Sequence, residues 1–175
     1  MSAYFEQLCL AMKMLSEHPR SIFLGQAVAS AGTSMHNTLR DVPEYKKVEW
    51  PVAEDMQLGA AIGASLNGDL PVCIYPRWNF LLLATSQLVL HLDKLPLFSS
   101  YRPKVIIRTA VATNQPLDPG PQHLGGEFTE AYRLMLKTVK VVSLWREDLI
   151  VSEYKAAMER EGSTLLVEEL KLYGN

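Results

Sequence analysis

The sequence has 175 residues and a formal net charge of −2, and 48% of its residues are apolar. This length suits a single domain with a sizeable hydrophobic core, while the lack of a Lys/Arg cluster argues against nucleic acid or an anionic membrane as a partner. No apolar stretch is long enough to span a bilayer, and the first residues lack the basic segment of an exported protein, so we expect a cytoplasmic protein.

Along the chain, segments with helical spacing of apolar residues alternate with short, continuous apolar runs. In chain order, strands are predicted over residues 21–27, 46–52, 70–76, 104–111, 138–144 and 163–170, and helices over 3–17, 54–67, 79–94, 127–136 and 146–161. Continuous apolar strands separated by helices are typical of a parallel sheet that is covered on both faces. We therefore predict a single three-layer α/β domain over residues 1–175, with a mostly parallel central sheet and helices on both faces.

In such sheets, functional residues lie on the loops that leave the carboxyl ends of the strands. These loops include Gln26 with the 26–42 loop, the turn before Glu54, the segment after the third strand, and the loop 111–126. Glu54 and Asp55 begin a helix, where an acidic side chain interacts favourably with the helix dipole. The dipole accounts for Asp55, but Glu54 is flanked by small apolar residues, and a carboxyl group in such a setting can share a proton near neutral pH.

Residues 51–80 carry a specific pattern of Pro, Glu, Gly and aromatic residues. A P-[IV]-x-E turn is followed by a glycine-containing helix, a strand led by proline and an aromatic segment ending in Asn-Phe, at Pro51-Val52-Ala53-Glu54, Gly59, Gly63, Gly68, Pro71 and Trp78-Asn79-Phe80. This block resembles the pyrimidine-binding domain of transketolase-like, thiamine-diphosphate-dependent enzymes. It is most similar to the β subunit of the pyruvate and branched-chain 2-oxoacid dehydrogenases.

The resemblance implies a catalytic and cofactor-binding role for Glu54. In similar enzymes this carboxyl group bonds N1′ of the cofactor's aminopyrimidine, and the resulting imino tautomer removes the C2 proton of the thiazolium ring to give the ylid that attacks a 2-oxo group. Phe80 is implied as the aromatic side chain that stacks on the aminopyrimidine, Val52 as a contact to the ring, and Trp78 as a neighbour that shapes the pocket. Without the resemblance, Phe80 and Trp78 are equally well explained as core residues.

Two loop histidines are candidates for the substrate side. His123 lies in a loop rich in Pro and Gly, which predicts an ordered conformation. A loop histidine is ordinarily a solvated surface residue, but the resemblance extends to His123 and implies a catalytic contact with the developing alkoxide or carboxylate of the substrate. His36, in the first long loop, is a second candidate, at the substrate entrance.

A diphosphate-binding pattern is missing from the sequence. There is no G-D-G followed by a distant Asn, no P-loop and no G-x-G-x-x-G. The resemblance therefore implies that a partner subunit holds the Mg²⁺ and the diphosphate, and that neither a diphosphate-binding domain nor a transketolase C-terminal domain belongs to this chain. Two explanations stay open: one piece of a split enzyme, or a shortened piece of a longer protein. No metal site is expected on the chain itself.

These features predict the pyrimidine-binding subunit of a split, heteromeric enzyme that acts on a 2-oxo acid or a ketose. The reaction type, whether dehydrogenation, decarboxylation or ketol transfer, stays open. The Ala/Gly-rich helix over 54–67 permits close contact with another chain, so we expect a homodimer or a heterotetramer. Two alternatives remain: a non-catalytic assembly or regulatory subunit that retains the fold, and an unrelated doubly wound enzyme.

Overall fold

Six apolar runs form the strands of one sheet in the computed structural model, which describes residues 2–111 and 126–174. The strands are β1 (Ser21–Gly25), β2 (Lys47–Glu49), β3 (Leu70–Ile74), β4 (Ile106–Val111), β5 (Lys140–Leu144) and β6 (Thr164–Glu169). The helices are α1 (Ala3–Ser16), α2 (Ser34–Asn37), α3 (Glu54–Leu66), α4 (Trp78–Leu83), α5 (Leu95–Phe98), α6 (Thr129–Met135) and α7 (Glu147–Glu159). Short 3₁₀ turns cover Glu44–Lys46 and Leu170–Leu172, and Gln87–Leu92 is π-helical.

All neighbouring strands are parallel, in the order β2-β1-β3-β4-β6-β5. From β1 the chain continues to β2 on one side, and from β3 it continues to β4 on the other, so the connections diverge between β1 and β3. The predicted single α/β domain with a parallel sheet is therefore confirmed. Sheets of this kind bind ligands in the crevice at the carboxyl ends of the strands where the connections diverge.

Helices cover both faces of the sheet because successive strand residues point to opposite sides. On one face, Phe23 and Val72 pack with residues of α1 and α7. On the other face, Leu24 and Cys73 pack with residues of α3, α4, α6 and the π-helical segment. Within the described part of the chain, every helix is too short or too polar to cross a membrane.

The helix predicted over residues 79–94 is interrupted in the structure. It consists of α4 and the π-helical segment Gln87–Leu92, separated by a turn. The hydroxyl of Thr85 donates a hydrogen bond to the carbonyl of Leu82 at 2.6 Å, and such side-chain bonds compete with regular helical bonding. The apolar periodicity of the sequence does not report this competition, which is why a single helix was expected.

Asp93 fastens the end of the π-helical segment to the start of β5. Its Oδ1 accepts hydrogen bonds from the amides of Lys137, Thr138 and Val139 at 2.8, 2.7 and 3.0 Å. Its Oδ2 accepts from Lys94 Nζ at 2.6 Å. Although burial opposes it, these donors hold the pKa of Asp93 below its ordinary value. A single buried carboxylate thus joins two elements of the same layer.

We predict that Asp93→Asn destabilises the protein by about 2–3 kcal/mol at neutral pH, because three amides and Lys94 lose a charged acceptor. A carboxyl group whose pKa is lowered by folding contributes stability above its unfolded pKa, about 4, and this contribution is lost as the pH falls through the lower folded pKa. Urea unfolding of both proteins between neutral pH and pH values below about 4 measures the difference.

The matched control is Asp69→Asn, which removes a carboxylate from a partly exposed ion pair with Arg20 and is expected to change stability little. A gap between wild type and Asp93→Asn that stays constant over the whole pH series would contradict the assigned role of the Asp93 charge.

Candidate functional site

The candidate site lies at the carboxyl ends of β1, β2 and β3. A cavity of about 220 Å³ opens there, lined by residues that follow β1, β3 and β6: Gly32, Thr33, Ser34, Met35, Pro76, Arg77 and Leu170. The turn over residues 50–53, which follows β2, leads directly into α3. Three loops therefore meet where the strand connections diverge, which is the expected position of a ligand site in this architecture.

Glu54 is the first residue of α3 and is only 5% exposed. Its Oε1 accepts a hydrogen bond from Gln26 Nε2 at 2.9 Å. None of the residues that the structure describes donates a hydrogen bond to Oε2. This oxygen is not fully enclosed by protein atoms, because it is not among the buried side-chain atoms without a hydrogen-bond partner. Oε2 is therefore open to a water molecule or to a ligand.

The first turn of α3 is tied to the end of β3 by two side chains. The hydroxyl of Tyr75 donates to the backbone carbonyl of Glu54 at 2.9 Å, and Gln57 Nε2 donates to the carbonyl of Ile74 at 3.0 Å. Burial raises the pKa of Tyr75 far above its ordinary value, so its hydroxyl stays protonated and available as a donor. These contacts hold the backbone of Glu54 at a defined place although Ala53 provides no side-chain cap.

Asp55 has a different environment from its neighbour. Its carboxylate accepts hydrogen bonds from Ser86 Oγ at 2.6 Å and from Gln87 Nε2 at 3.2 Å, and these bonds lower the pKa of Asp55. The structure therefore gives Asp55 a specific role in joining α3 to the start of the π-helical segment. This role goes beyond the favourable dipole interaction that the sequence predicts.

Phe80, Trp78 and Val52 lie in three different settings. The Phe80 ring is half-buried, and the Arg77 guanidinium lies over it at 5.3 Å from the ring centroid. Trp78 is 1% exposed and packs against Tyr132 with ring centroids 4.8 Å apart, so core packing accounts for it. Val52 is 80% exposed in the turn before Glu54. Contacts of these side chains with a cofactor stay predictions.

His36 lines a different cavity from the one at the ends of β1 and β3, and Glu54 is not among the lining residues of either. His36 belongs to α2, where its Nδ1 lies 3.2 Å from the carbonyl oxygen of Val28. It lines a separate cavity of about 430 Å³ together with Phe5, Ser34, Asn37, Arg40, Lys47, Tyr173 and Gly174. This cavity and the smaller one share Ser34. The other predicted substrate residue, His123, lies outside the described residues.

Sequence reasoning singled out Gln26 by its place at a strand end but not its bond to Glu54. It did not single out Glu49, and it included Tyr75 and Arg77 only as members of the segment after the third strand. The position of Glu49 at the carboxyl end of β2 was a usable signal, because functional residues are expected at strand ends. The i, i+3 spacing of Arg77 and Phe80 was a usable signal for their contact, whereas the bond from Tyr75 to Glu54 joins residues 21 positions apart and leaves no local pattern.

Within residues 2–111 and 126–174, no group of three or more His, Cys, Asp or Glu side chains is placed to hold a metal ion. The chemical groups found at this edge of the sheet are a buried carboxyl, an amide that orients it and, after β3, the half-buried ring of Phe80. Such a set suits a heteroaromatic ring that presents a nitrogen to the carboxyl.

No protein-family model matches the sequence. The β subunit of the pyruvate dehydrogenase E1 component from Mesostigma viride is 24% identical over 175 residues, in an alignment that covers 97% of this chain and 52% of that protein. A solved structure of a split-gene transketolase, an inactive β4 tetramer, has a TM-score of 0.72 at 20% identity and covers 95% of this chain and 51% of its own. The chain thus spans about half the length of each relative. The chain therefore has the transketolase-type fold, and its sequence, which includes the Pro51-to-Phe80 block, is similar over nearly its whole length to the pyruvate dehydrogenase E1 β subunit.

Proposed function

We propose that this chain is the pyrimidine-binding subunit of a split, heteromeric, thiamine-diphosphate-dependent enzyme that acts on a 2-oxo acid or a ketose. Glu54 is the residue that activates the cofactor. The observation that carries the proposal is the buried carboxyl of Glu54, with Oε1 held by Gln26 and Oε2 left without a donor in the described part of the chain.

The described residues fit the pyrimidine end of this cofactor. Glu54 would bond a ring nitrogen through the unfilled Oε2, and Phe80 offers an aromatic face that already accommodates the planar Arg77 guanidinium. Val52, exposed in the preceding turn, is available for contact with the ring edge. When bound, thiamine diphosphate supplies a carbanion that adds to a 2-oxo group. The part of this chain is to hold and exchange a proton at Glu54 and to orient the ring.

His123 is proposed as the residue beside the substrate, and His36 as a residue of the entrance. The proposal for His123 rests on the resemblance alone. For His36, support comes from its place in a cavity whose described lining includes two cationic side chains, Arg40 and Lys47. Both are ion-paired, Arg40 with Glu6 and Lys47 with Glu44, so an anionic substrate such as a 2-oxo acid would compete with these carboxylates.

A partner subunit is proposed to hold the Mg²⁺ and the diphosphate. Support comes from the β-subunit relative and from the split-gene transketolase, whose β4 tetramer is inactive. The outer surface of α3 and the elements packed beside it also exposes large apolar side chains: Met56, Leu66, Leu83, Leu90, Leu97 and Phe98. A Cβ on Gly63 of α3 would meet no described atom within 4 Å. We propose that another chain covers this surface, in a homodimer or a heterotetramer.

The alternative is a non-catalytic subunit that retains the fold. The inactive β4 tetramer of the split transketolase is the observation in its favour. The two functions differ in whether Glu54 acts on a cofactor or only begins a helix, and the next experiment separates them.

We predict that Glu54→Gln slows hydrogen–deuterium exchange at the cofactor's C2 carbon by about 10²- to 10⁴-fold in the assembled enzyme, because glutamine keeps one hydrogen bond but cannot exchange the proton. The measurement is C2 exchange followed by NMR after quenching, with thermal unfolding recorded in parallel. Asp55→Asn is the matched control, since it changes the adjacent acid. Normal C2 exchange in a folded, cofactor-loaded Glu54→Gln variant would leave the non-catalytic function as the better explanation.

We also predict that the isolated chain binds thiamine diphosphate with Mg²⁺ weakly, and that binding becomes tight only after a subunit carrying a G-D-G motif is added. The reason is that the part of the chain that the structure describes offers groups for the pyrimidine ring but no cluster that could hold a metal ion. Isothermal titration calorimetry on each chain and on the mixture provides the test. Tight binding by the isolated chain would show that it contains a diphosphate site.

The apolar surface on α3 is tested by Gly63→Leu, which adds a large side chain where the isolated chain has space. Overpacking an interface by this much costs about 1–3 kcal/mol, which corresponds to roughly 10- to 100-fold weaker association. Ala156→Leu, at an exposed position of α7 on the opposite layer, is the matched control. Sedimentation velocity measures both. Equal association of the two variants would mean that α3 does not contact another chain.

A further inference from the structure

The loop that follows β1 is held by one carboxylate, that of Glu49 at the end of β2. Glu49 Oε1 accepts the amide of Ala27 at 2.6 Å. Its Oε2 accepts the amides of Val28, Ala29 and Ser30 at 3.0, 2.8 and 3.1 Å. Four successive backbone N–H groups that converge on one anion form a nest, and an ionised carboxylate has about four lone-pair positions to receive them.

The loop has a conformation that needs such a partner. Ala27 has φ 51°, in the left-handed region that a residue with a Cβ rarely adopts. The end of β1 is also held in place, because the amide of Trp50 donates to the carbonyl of Gly25 at 2.9 Å, and only glycine fits there since a Cβ would lie 2.4 Å from the carbonyl oxygen of Ile74. Although burial opposes it, the amide hydrogen bonds keep the pKa of Glu49 below its ordinary value, so the anion persists at neutral pH.

Gln26 lies between the fixed end of β1 and the amides bound by Glu49. Its side chain is the donor to Glu54 Oε1, at 2.9 Å. The orientation of the Glu54 carboxyl therefore depends on the conformation of residues 25–30, and that conformation depends on Glu49.

We propose that Glu49 is a positioning residue, which sets the orientation of the Glu54 carboxyl through the β1 loop and Gln26. The catalytic consequence rests on the function proposed above for Glu54, but the structural link from Glu49 to Glu54 does not. Glu49 itself contacts neither cofactor nor substrate in this assignment. It acts by keeping the donor to Oε1 in place, so that Oε2 is presented to the ring.

The first test uses the isolated chain without cofactor. In Glu49→Gln, we expect amide hydrogen exchange at residues 27–30 to accelerate at least about tenfold and the side-chain ¹³C resonance of Glu54 to shift. Glu49→Asp keeps the charge and should restore both signals in part. Glu44→Gln is the matched control, because it makes the same change at an exposed acid whose partner is Lys47, and it should alter neither signal.

A second variant keeps the proposal testable if Glu49→Gln folds poorly. Gln26→Leu leaves the four amides on Glu49 but removes the donor to Glu54. We expect normal exchange at residues 27–30 and a shifted Glu54 resonance. The proposal is overturned if Glu49→Gln loosens the loop while the Glu54 resonance stays unchanged, since Glu49 would then be a structural anchor only. An unchanged Glu54 resonance in Gln26→Leu would overturn it as well.

In the assembled enzyme, Glu49→Gln should slow C2 exchange by about 10- to 100-fold with little change in cofactor affinity. The double variant with Gln26→Leu should be no slower than Gln26→Leu alone, because both changes break the same link. Additive losses would overturn the proposed route. If Glu54→Gln leaves C2 exchange unchanged, the proposed function fails, yet the resonance shifts in the isolated chain still support the link from Glu49 to Glu54.

Discussion

The fold is organised around a fully buried ion pair between Arg108 of β4 and Glu168 of β6. The two arginine donors Nε and Nη2 lie 2.7 and 3.0 Å from the two carboxylate oxygens, and both side chains are 0% exposed. Buried charges are costly unless further hydrogen bonds complete them. Tyr154 of α7 and Tyr173 donate to the carboxylate, and Thr38 accepts from Arg108 at 3.2 Å. Burial and the Glu168 charge raise the pKa of both tyrosines well above its ordinary value, so they remain donors.

This cluster ties the middle of the sheet to α7, to the last described residues and to the segment after α2. On the opposite layer, the joining carboxylates are not paired with a buried arginine but accept hydrogen bonds from neighbouring segments. Asp93 accepts from the amides of residues 137–139 just before β5, and Asp55 accepts from the start of the π-helical segment. Glu49 binds the loop after β1 in the same way. At the functional edge, the loop after β1 is therefore held by an anionic side chain, whose bonds to amides are stronger than neutral ones.

In the proposed function, the site built on this frame is half of a cofactor site. It has a buried carboxyl oriented by an amide, and in the described residues it has no cluster that could hold a metal ion. Phosphate groups and a divalent cation require charged ligands at fixed distances, whereas a pyrimidine ring requires a carboxyl, an apolar wall and exclusion of water. The proposed separation of these demands between two chains would leave each chain with an incomplete site. The apolar side chains exposed around α3 are consistent with this division.

The sequence by itself determined the parallel α/β class and the place of Glu54 at a strand end, because strand runs, helical spacing and the Pro51-to-Glu54 turn are local patterns. It also predicted Phe80 and Trp78 as either core or cofactor residues, and only the packing separated buried Trp78 from half-buried Phe80. Only the tertiary structure decided the interruption of the predicted 79–94 helix and the partners of Glu49, Glu54 and Arg108. These bonds join residues 28 positions apart for Gln26 and Glu54 and 60 apart for Arg108 and Glu168, and periodicity carries no information over such separations.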